Sequence, residues 1–113
     1  MSDKKYTVRV TRHAKESLRE ISNYIKLEKQ APMTATNWAR KTKAAIQDLS
    51  SFPEKNGLTP DEPWLSLGVH RMVHGNFYVY YMIFENDLLV RVVDIIYQRR
   101  DQVKALSKTP LRE

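Results

Sequence analysis

The sequence has 113 residues, of which 42% are hydrophobic and none is cysteine. This length supports one hydrophobic core, so we expect a single domain over residues 1–113. The lack of cysteine excludes a disulfide scaffold and a thiolate metal site. We expect a cytoplasmic protein without a targeting segment, because no apolar signal core and no stretch of about 18 apolar residues is present.

The protein is strongly basic. Nineteen Lys and Arg residues against thirteen Asp and Glu give a net charge of +6. On so small a domain this charge favours an anionic partner, either a nucleic acid or an acidic protein, through a salt-sensitive field. A merely soluble basic protein is the simpler alternative, because net charge bears on solubility and association and not on fold.

The first predicted elements are a strand and a helix. Tyr6, Val8 and Val10 alternate with polar residues, which predicts a strand that ends near Val10. Thr11 follows at the position of a helix N-cap. The helix is amphipathic, since its apolar residues recur at three- and four-residue spacing: Ala14, Leu18, Ile21 and Ile25.

A second helix is predicted over roughly residues 33–51. Pro32 breaks the first helix and suits the first turn of the next. We expect the two helices to form an antiparallel hairpin. We assign Trp38 to core packing, with a partner anchor as the alternative. The apolar stripe of the second helix is Ala35, Trp38, Ala39, Thr42, Ala45, Ile46, Leu49 and Phe52.

Residues 53–67 are predicted to form a long surface loop. They include several prolines and a glycine and have no apolar periodicity. Trp64 and Leu65 are expected to anchor this loop to the rest of the protein.

The second half of the chain predicts three strands. Residues 69–74 and 77–84 alternate in β-branched and aromatic residues on either side of a Gly75-Asn76 turn. Residues 88–97 follow a turn at 85–87 and are apolar on nearly both sides, which is typical of a strand covered on both faces. We therefore predict an α+β fold with the order β-α-α-β-β-β, in which an antiparallel meander carries helices on one side and ends in a short helical turn.

This order of elements resembles the RelE/ParE superfamily of bacterial type II toxins, and the resemblance covers most of the chain. It implies a toxin encoded beside a cognate antitoxin protein, inactive while bound, growth-arresting when free, and associated with plasmid stabilisation. The motifs that carry it are Tyr6 to Thr11 with Ala14 and Leu18, Ile46 and Leu49 with Phe52-Pro53, Arg71, Gly75 to Tyr81, and Ile95 to Asp101.

The superfamily contains two activities, ribosome-dependent cleavage of messenger RNA and poisoning of DNA gyrase. RelE-like nucleases have an Arg in the third strand, an Arg at the end of the fourth, a Tyr or His near the C-terminus, and basic residues before the second strand. Arg99 fits the second of these positions. Tyr78 and Ala105 stand near the first and third, and Asp61 and Glu62 replace the basic residues. These departures favour the ParE branch, which needs no hydrolytic residues, and leave open whether the protein is a metal-independent endoribonuclease.

The sequence thus indicates a set of candidate functional residues in and after the last three predicted strands. We expect Asp101 to orient one of the arginines through a charge-assisted bond. The alternative is that residues 99–101 only end the sheet and begin a last helical turn. The candidates are Arg71, Arg91, Tyr97, Arg99, Arg100 and Asp101.

Four further residues are weaker candidates. His70 and His74, together with Tyr97, are possible proton-transfer groups. Arg71, Arg91 and Arg99 could bind the phosphate group beside them. The histidines lie at an odd separation from Arg71, so they should share a strand face with each other and not with it. Tyr78 and Tyr80 would suit a non-toxic nucleic-acid-binding module as stacking platforms.

No metal or cofactor is predicted. The three histidines are scattered along the chain, and the carboxylates are not clustered at ligand spacing. Three glycines provide no phosphate-binding loop.

Overall fold

The structure, a computed structural model, describes residues 4–112. Its strands are β1 Thr7–Val10, β2 Val69–His74, β3 Phe77–Phe84 and β4 Leu89–Tyr97. Its α-helices are α1 Arg12–Glu28, α2 Pro32–Gln47 and α3 Gln102–Ser107. The predicted α+β order, with a helical turn after the last strand, is confirmed. Within the described residues, no helix combines the length and apolar composition that a bilayer crossing requires.

The four strands form one sheet in the order β1-β4-β3-β2. The three last strands are an antiparallel meander, as predicted. β1 lies parallel to β4, with Thr7 opposite Leu89 and Val10 opposite Val92. The first and last strands are therefore neighbours, and β1 and β2 form the two edges of the sheet.

The β2–β3 connection is the predicted two-residue turn, since His74 lies opposite Phe77. Gly75 occupies the first central position with φ +57°, the conformation that a type II′ hairpin turn requires there. The β3–β4 connection is a 3₁₀ turn over Glu85–Asp87 followed by Leu88 in the left-handed region, φ 46°. β4 consequently begins one residue later than predicted.

The helical hairpin covers one face of the sheet. Thr11 is the N-cap of α1, as predicted, and its Oγ1 accepts the N–H of Ala14 at 3.1 Å. Trp38 packs against Phe77 with ring centroids 5.1 Å apart, in agreement with its assignment to core packing. The buried residues of this layer are Tyr6, Ala14, Leu18, Ile46, Leu49, Met72, Val79, Tyr81, Val90, Val92 and Ile95.

The predicted end of the second helix is wrong. α2 ends at Gln47, and a 3₁₀ turn over Asp48–Ser50 follows, which keeps Leu49 buried. Phe52 is 60% exposed and does not belong to the apolar stripe. Pro53 accounts for the position of Phe52, because a proline disfavours helical backbone at the preceding residue, and Phe52 has φ −161°.

The opposite face of the sheet is covered by the loop before β2, by α3 and by the C-terminal tail. Trp64 anchors the loop, as predicted, whereas Leu65 remains 36% exposed and is not an anchor. β4 is covered on both faces, but α3 lies across the sheet from the hairpin, so the prediction of helices on one side was incomplete. The buried residues of this layer are Trp64, Val69, Tyr80, Val93, Ile96, Ala105 and Leu106.

Candidate functional site

The residues that follow β4 lie at one end of the sheet, beside the β2–β3 turn. The N–H of Gln98 donates to the carbonyl of Asn76 at 2.9 Å. Nε2 of Gln102 donates to the carbonyls of Tyr97 and Arg100, both at 2.8 Å. These bonds hold the segment from 97 to 101 as a fixed turn, which places its arginines in a defined position.

Arg99 and Arg100 are both exposed on this turn. Tyr97 is 37% exposed and its ring packs on Phe77, with centroids 5.5 Å apart. Tyr97 and Arg100 line a groove of about 640 Å³ between the helical hairpin and the end of the sheet. Among residues 4–112, no carboxylate forms a salt bridge with either arginine. Their charge is therefore available to an anionic partner.

Asp101 does not orient an arginine, so that prediction is wrong. Asp101 is the N-cap of α3, and its Oδ1 accepts the N–H of Lys104 at 3.1 Å. The first amides of a helix have no partner inside the helix, and an N-cap carboxylate satisfies one of them. The segment does lead into a last helical turn, α3, as the alternative interpretation also expected.

Arg71 belongs to a cluster on the face opposite the helical hairpin, which we call the Arg71 cluster: Arg71, Tyr78, Tyr80 and Gln102. The guanidinium carbon of Arg71 lies 4.2 Å from the centroid of the Tyr78 ring. The hydroxyl of Tyr80 donates to Oε1 of Gln102 at 2.7 Å, and burial raises the pKa of Tyr80 to about 12. Gln102, which sequence reasoning missed, thereby joins this cluster to the turn that carries Arg99.

The two tyrosines of the cluster do not form an open stacking platform. Tyr80 is fully buried, and the Tyr78 ring already carries the guanidinium of Arg71. A base stacked on Tyr78 would have to displace this cation–π contact, which stabilises the pair by about 0.5–1 kcal/mol at an exposed site.

Arg91 lies at the other end of β4, away from the remaining candidates. Its guanidinium carbon is 4.6 Å from the centroid of the Phe84 ring, and its Nη1 donates to the carbonyl of Leu111 at 3.1 Å. A strand rises about 3.3 Å per residue, so Arg91 and Tyr97 are separated by about 20 Å. The structure therefore places Arg91 with the C-terminal tail and not with the other arginines.

A family model described as the ParE toxin of the type II toxin–antitoxin system, parDE, matches residues 8–102. The chain belongs to this family. The resemblance to the RelE/ParE superfamily, and to its ParE branch, is thus confirmed. A search of the curated proteins found no match.

Solved structures share the fold of this ParE-family chain. The RelBE2 toxin–antitoxin complex from Mycobacterium tuberculosis matches with 20% identity and a TM-score of 0.61, over 88% of this chain and 98% of that chain. The chromosomal ParDE system from P. aeruginosa matches with 18% identity and a TM-score of 0.64, over 81% and 95%. A free E. coli RelE variant with two arginines replaced by alanine matches with 11% identity and a TM-score of 0.60, over 89% and 92%.

In this ParE-family toxin the two histidines of β2 lie on the face covered by the helical hairpin. Nε2 of His74 lies 3.0 Å from Oγ1 of Thr42, and burial lowers the pKa of His74. His70 stacks on Tyr81 with centroids 5.1 Å apart, and its Nδ1 lies 2.7 Å from the carbonyl of Asn56. Both histidines are hydrogen-bonded within the fold, and both lie on the face of the sheet opposite the Arg71 cluster.

The ParE-family toxin also contains a buried carboxylate that sequence reasoning missed. Asp94 is 3% exposed and accepts hydrogen bonds from the hydroxyls of Ser17 and Thr109, both at 2.6 Å. Nε2 of His13 lies 3.1 Å from the same carboxylate. The only signal in the sequence was a single Asp inside an apolar strand. Its partners come from α1 and the C-terminal tail, so its role is to join them. No group of residues within 4–112 is arranged to hold a metal ion.

Proposed function

We propose that this toxin arrests bacterial growth by acting on DNA gyrase and does not cleave RNA. Membership of the ParE toxin family gives the general role, a toxin of a type II toxin–antitoxin system. The observation that supports the target is the separation of the arginines from every histidine of β2. Arg71 lies on the opposite face, and Arg99 and Arg100 are on an exposed turn. His74 is bonded to Thr42 of α2, and His70 is bonded to the carbonyl of Asn56 in the loop before β2.

The chemistry of metal-independent RNA cleavage explains why this separation matters. Such a reaction needs a base for the 2′-hydroxyl, cations for the developing phosphorane charge and an acid for the leaving oxygen, all within reach of one phosphate. The titratable groups beside Arg71 include Tyr78 and Tyr80, and burial raises the pKa of Tyr80 to about 12, with a smaller contribution from the nearby Asp61 carboxylate. Tyr80 therefore stays protonated at neutral pH and is a poor base. Binding through arginines, without hydrolysis, fits this site better.

A second candidate is a ribosome-dependent messenger RNA endonuclease. It is favoured by one observation, the exposed Arg99 on a fixed turn at the end of β4, where RelE-like nucleases also have an arginine. Both targets are found in the bacterial cytoplasm, where we place the protein.

We also propose a cognate antitoxin as the partner that keeps the toxin inactive. The net charge of +6 suits an acidic segment that folds on binding. Two of the similar structures are toxin–antitoxin systems, RelBE2 and ParDE. A role in plasmid stabilisation would follow from such a pair.

The deciding experiment is brief induction of the toxin in growing bacteria without an antitoxin. Messenger integrity, chromosome breaks and plasmid supercoiling are followed over the first minutes, and gyrase supercoiling is measured with purified protein. We expect DNA breaks and lost supercoiling while messenger stays intact. Early messenger cleavage on ribosomes would overturn the gyrase target in favour of the nuclease, and absence of arrest by folded protein would overturn both.

An Arg99→Ala variant tests, in the same experiment, the role of the arginines on the turn after β4. We expect it to lose most of the growth arrest, because an exposed arginine without a salt bridge in the fold is positioned to contact a target. Its free energy of unfolding should stay within about 0.5 kcal/mol of wild type, as is usual for surface substitutions. Lys41→Ala, at an exposed position of α2, is the control and should arrest growth like wild type. Full toxicity of Arg99→Ala would contradict its assigned role.

A further inference from the structure

The groove between α1 and the end of the sheet that carries the β2–β3 turn is lined by several aromatic rings, and we call it the aromatic groove. Four aromatic side chains line it: Tyr24, Trp38, Phe77 and Tyr97. Its volume of about 640 Å³ lies within the range of about 300–1,000 Å³ in which proteins bind small molecules. The aromatic groove therefore has the size of a small-molecule site.

The aromatic rings of the groove come from both helices of the hairpin and from the sheet. The Phe77 ring contacts Trp38 and Tyr97, with centroids 5.1 and 5.5 Å apart, so these three rings form one cluster. Tyr24 belongs to α1 and is 56% exposed. Stacking a flat ring on an exposed aromatic side chain removes apolar surface of both from water. A planar aromatic ligand therefore suits this groove.

Polar side chains in the groove have hydrogen-bonding groups that the fold does not use. Four such side chains line it: Glu20, Lys29, Asn76 and Arg100. Among residues 4–112, no group forms a hydrogen bond or a salt bridge with any of these four side chains. Ser17, which also lines the groove, is by contrast bonded to Asp94. The groove thus offers two cations, one carboxylate and one amide to a ligand.

We propose that the aromatic groove binds a free guanine nucleotide, with the base on the aromatic rings and the phosphates on Lys29 and Arg100. Bases stack on aromatic side chains through their flat faces, and lysine and arginine are the side chains that bind phosphate. Two cations match the charge of a nucleoside diphosphate better than the single charge of a phosphodiester link. This match favours a free nucleotide over a nucleic-acid strand.

The carboxylate of Glu20 gives the groove its preference for guanine. Glu20 lies one turn before Tyr24 on α1, so the two side chains are neighbours on the helix surface. A base stacked on Tyr24 therefore has its edge beside this carboxylate, which only accepts hydrogen bonds. Among the common bases, guanine alone presents two adjacent donors on one edge, N1–H and the N2 amino group, whereas adenine presents one donor beside an acceptor.

The test is a titration of the full chain, labelled with ¹⁵N, with guanosine 5′-diphosphate. We expect saturable shifts of the Phe77 and Tyr97 amides and of the Trp38 indole N–H. The indole N–H of Trp64 should not shift, because Trp64 is buried on the opposite face of the sheet. Adenosine 5′-diphosphate should bind about ten-fold more weakly. Neither gyrase nor an antitoxin is present, so the result does not depend on the proposed function.

Two pairs of variants test the assigned contacts. Glu20→Gln should weaken guanosine diphosphate about ten-fold and remove the preference over adenosine diphosphate. Glu16→Gln makes the same charge change one turn earlier on α1, outside the groove lining, and should bind like wild type. Arg100→Ala should weaken binding about five-fold. Arg99→Ala, at the adjacent position outside the groove lining, should change affinity less than about two-fold.

Several results would overturn this ligand assignment. The first is a lack of shifts at millimolar nucleotide, and the second is shifts centred on the Arg71 cluster. Equal affinity for the two diphosphates, or equal weakening by the variants at Glu20 and Glu16, would remove the basis for guanine recognition. Tighter binding of a short single-stranded oligonucleotide that contains one guanine would show that the groove binds a strand and not a free nucleotide. The amide spectrum of each variant shows that it is folded.

Discussion

The four candidate arginines have three different environments, which decide whether the guanidinium group is available to a partner. Arg91 is bonded to the C-terminal tail, and Arg71 lies over an aromatic ring. Arg99 and Arg100 are exposed on a turn whose backbone is fixed by Gln102. A fixed backbone lowers the entropy that is lost when a long side chain is immobilised by a partner. The last two arginines are therefore the best placed for a first contact with a target.

His74 makes a pH-dependent contribution to the stability of the fold. Burial lowers the pKa of His74 from its ordinary 6.5, so the folded protein favours the neutral ring. The unfolded chain takes up a proton once the pH falls below about 6.5, and the folded state does so only at lower pH. The contribution of His74 to the free energy of unfolding is therefore fully present above about pH 6.5, and it is lost as the pH falls from there through the lower pKa of the folded state.

We expect His74→Gln to reduce the loss of unfolding free energy between about pH 7 and pH 5. Urea unfolding at both pH values, with wild type alongside, measures the difference. Glutamine can still bond Thr42, so the comparison isolates the titration. An unchanged pH dependence in the variant would contradict the assignment of this contribution to His74.

At the scale of elements, α3 is too short to be stable by itself and depends on its cap and its packing. It has six residues, of which Ala105 and Leu106 are buried against the sheet. Asp101 caps its first turn. This cap explains why an aspartate follows two arginines without pairing with either.

We expect Asp101→Ala to lower the free energy of unfolding by about 1 kcal/mol, the usual effect of losing an N-cap. Asp101→Asn keeps an acceptor oxygen and should lose much less. Chemical denaturation of both variants at neutral pH checks this order. If the asparagine variant were as unstable as the alanine variant, the negative charge and not the cap would be the important feature.

The elements that could be predicted from the sequence are those set by local interactions. Strand alternation around the Gly75 turn and the cap at Thr11 involve neighbours along the chain, and both are confirmed. The role of Asp94 was not predictable, because its partners Ser17 and Thr109 belong to remote segments. The role of Asp101 was misjudged because a helix cap and an ion pair use the same side chain.

At the scale of the whole molecule, Asp94 links three segments that lie far apart in sequence. Asp94→Ala would remove the acceptor of the partly buried Ser17 hydroxyl and leave the Thr109 hydroxyl only the carbonyl of Ala105. We expect a loss of about 3 kcal/mol in unfolding free energy. Thermal and urea unfolding measure it, with Glu16→Ala on the exposed side of α1 as the control. A loss no larger than that of the control would mean that the network contributes little.

The strand order also separates the first strand from the strand that carries Arg71. β1 and β2 are opposite edges of a four-stranded sheet, and neighbouring strands lie about 4.8 Å apart. Three strand spacings therefore separate β1 from Arg71 on β2, a distance of about 14 Å across the sheet.

The parallel pairing of β1 with β4 has a consequence for how the protein is made. Thr7 lies opposite Leu89, so most of the chain must be synthesised before the first strand finds its neighbour. Synthesis proceeds from the N-terminus, and contacts between distant parts of a chain form slowly. The contacts between the two helices of the hairpin are local in sequence, so the hairpin can form early on the ribosome. The sheet that presents the arginines is completed only near the end of translation, so the newly made chain acquires the surface that we propose for target binding last.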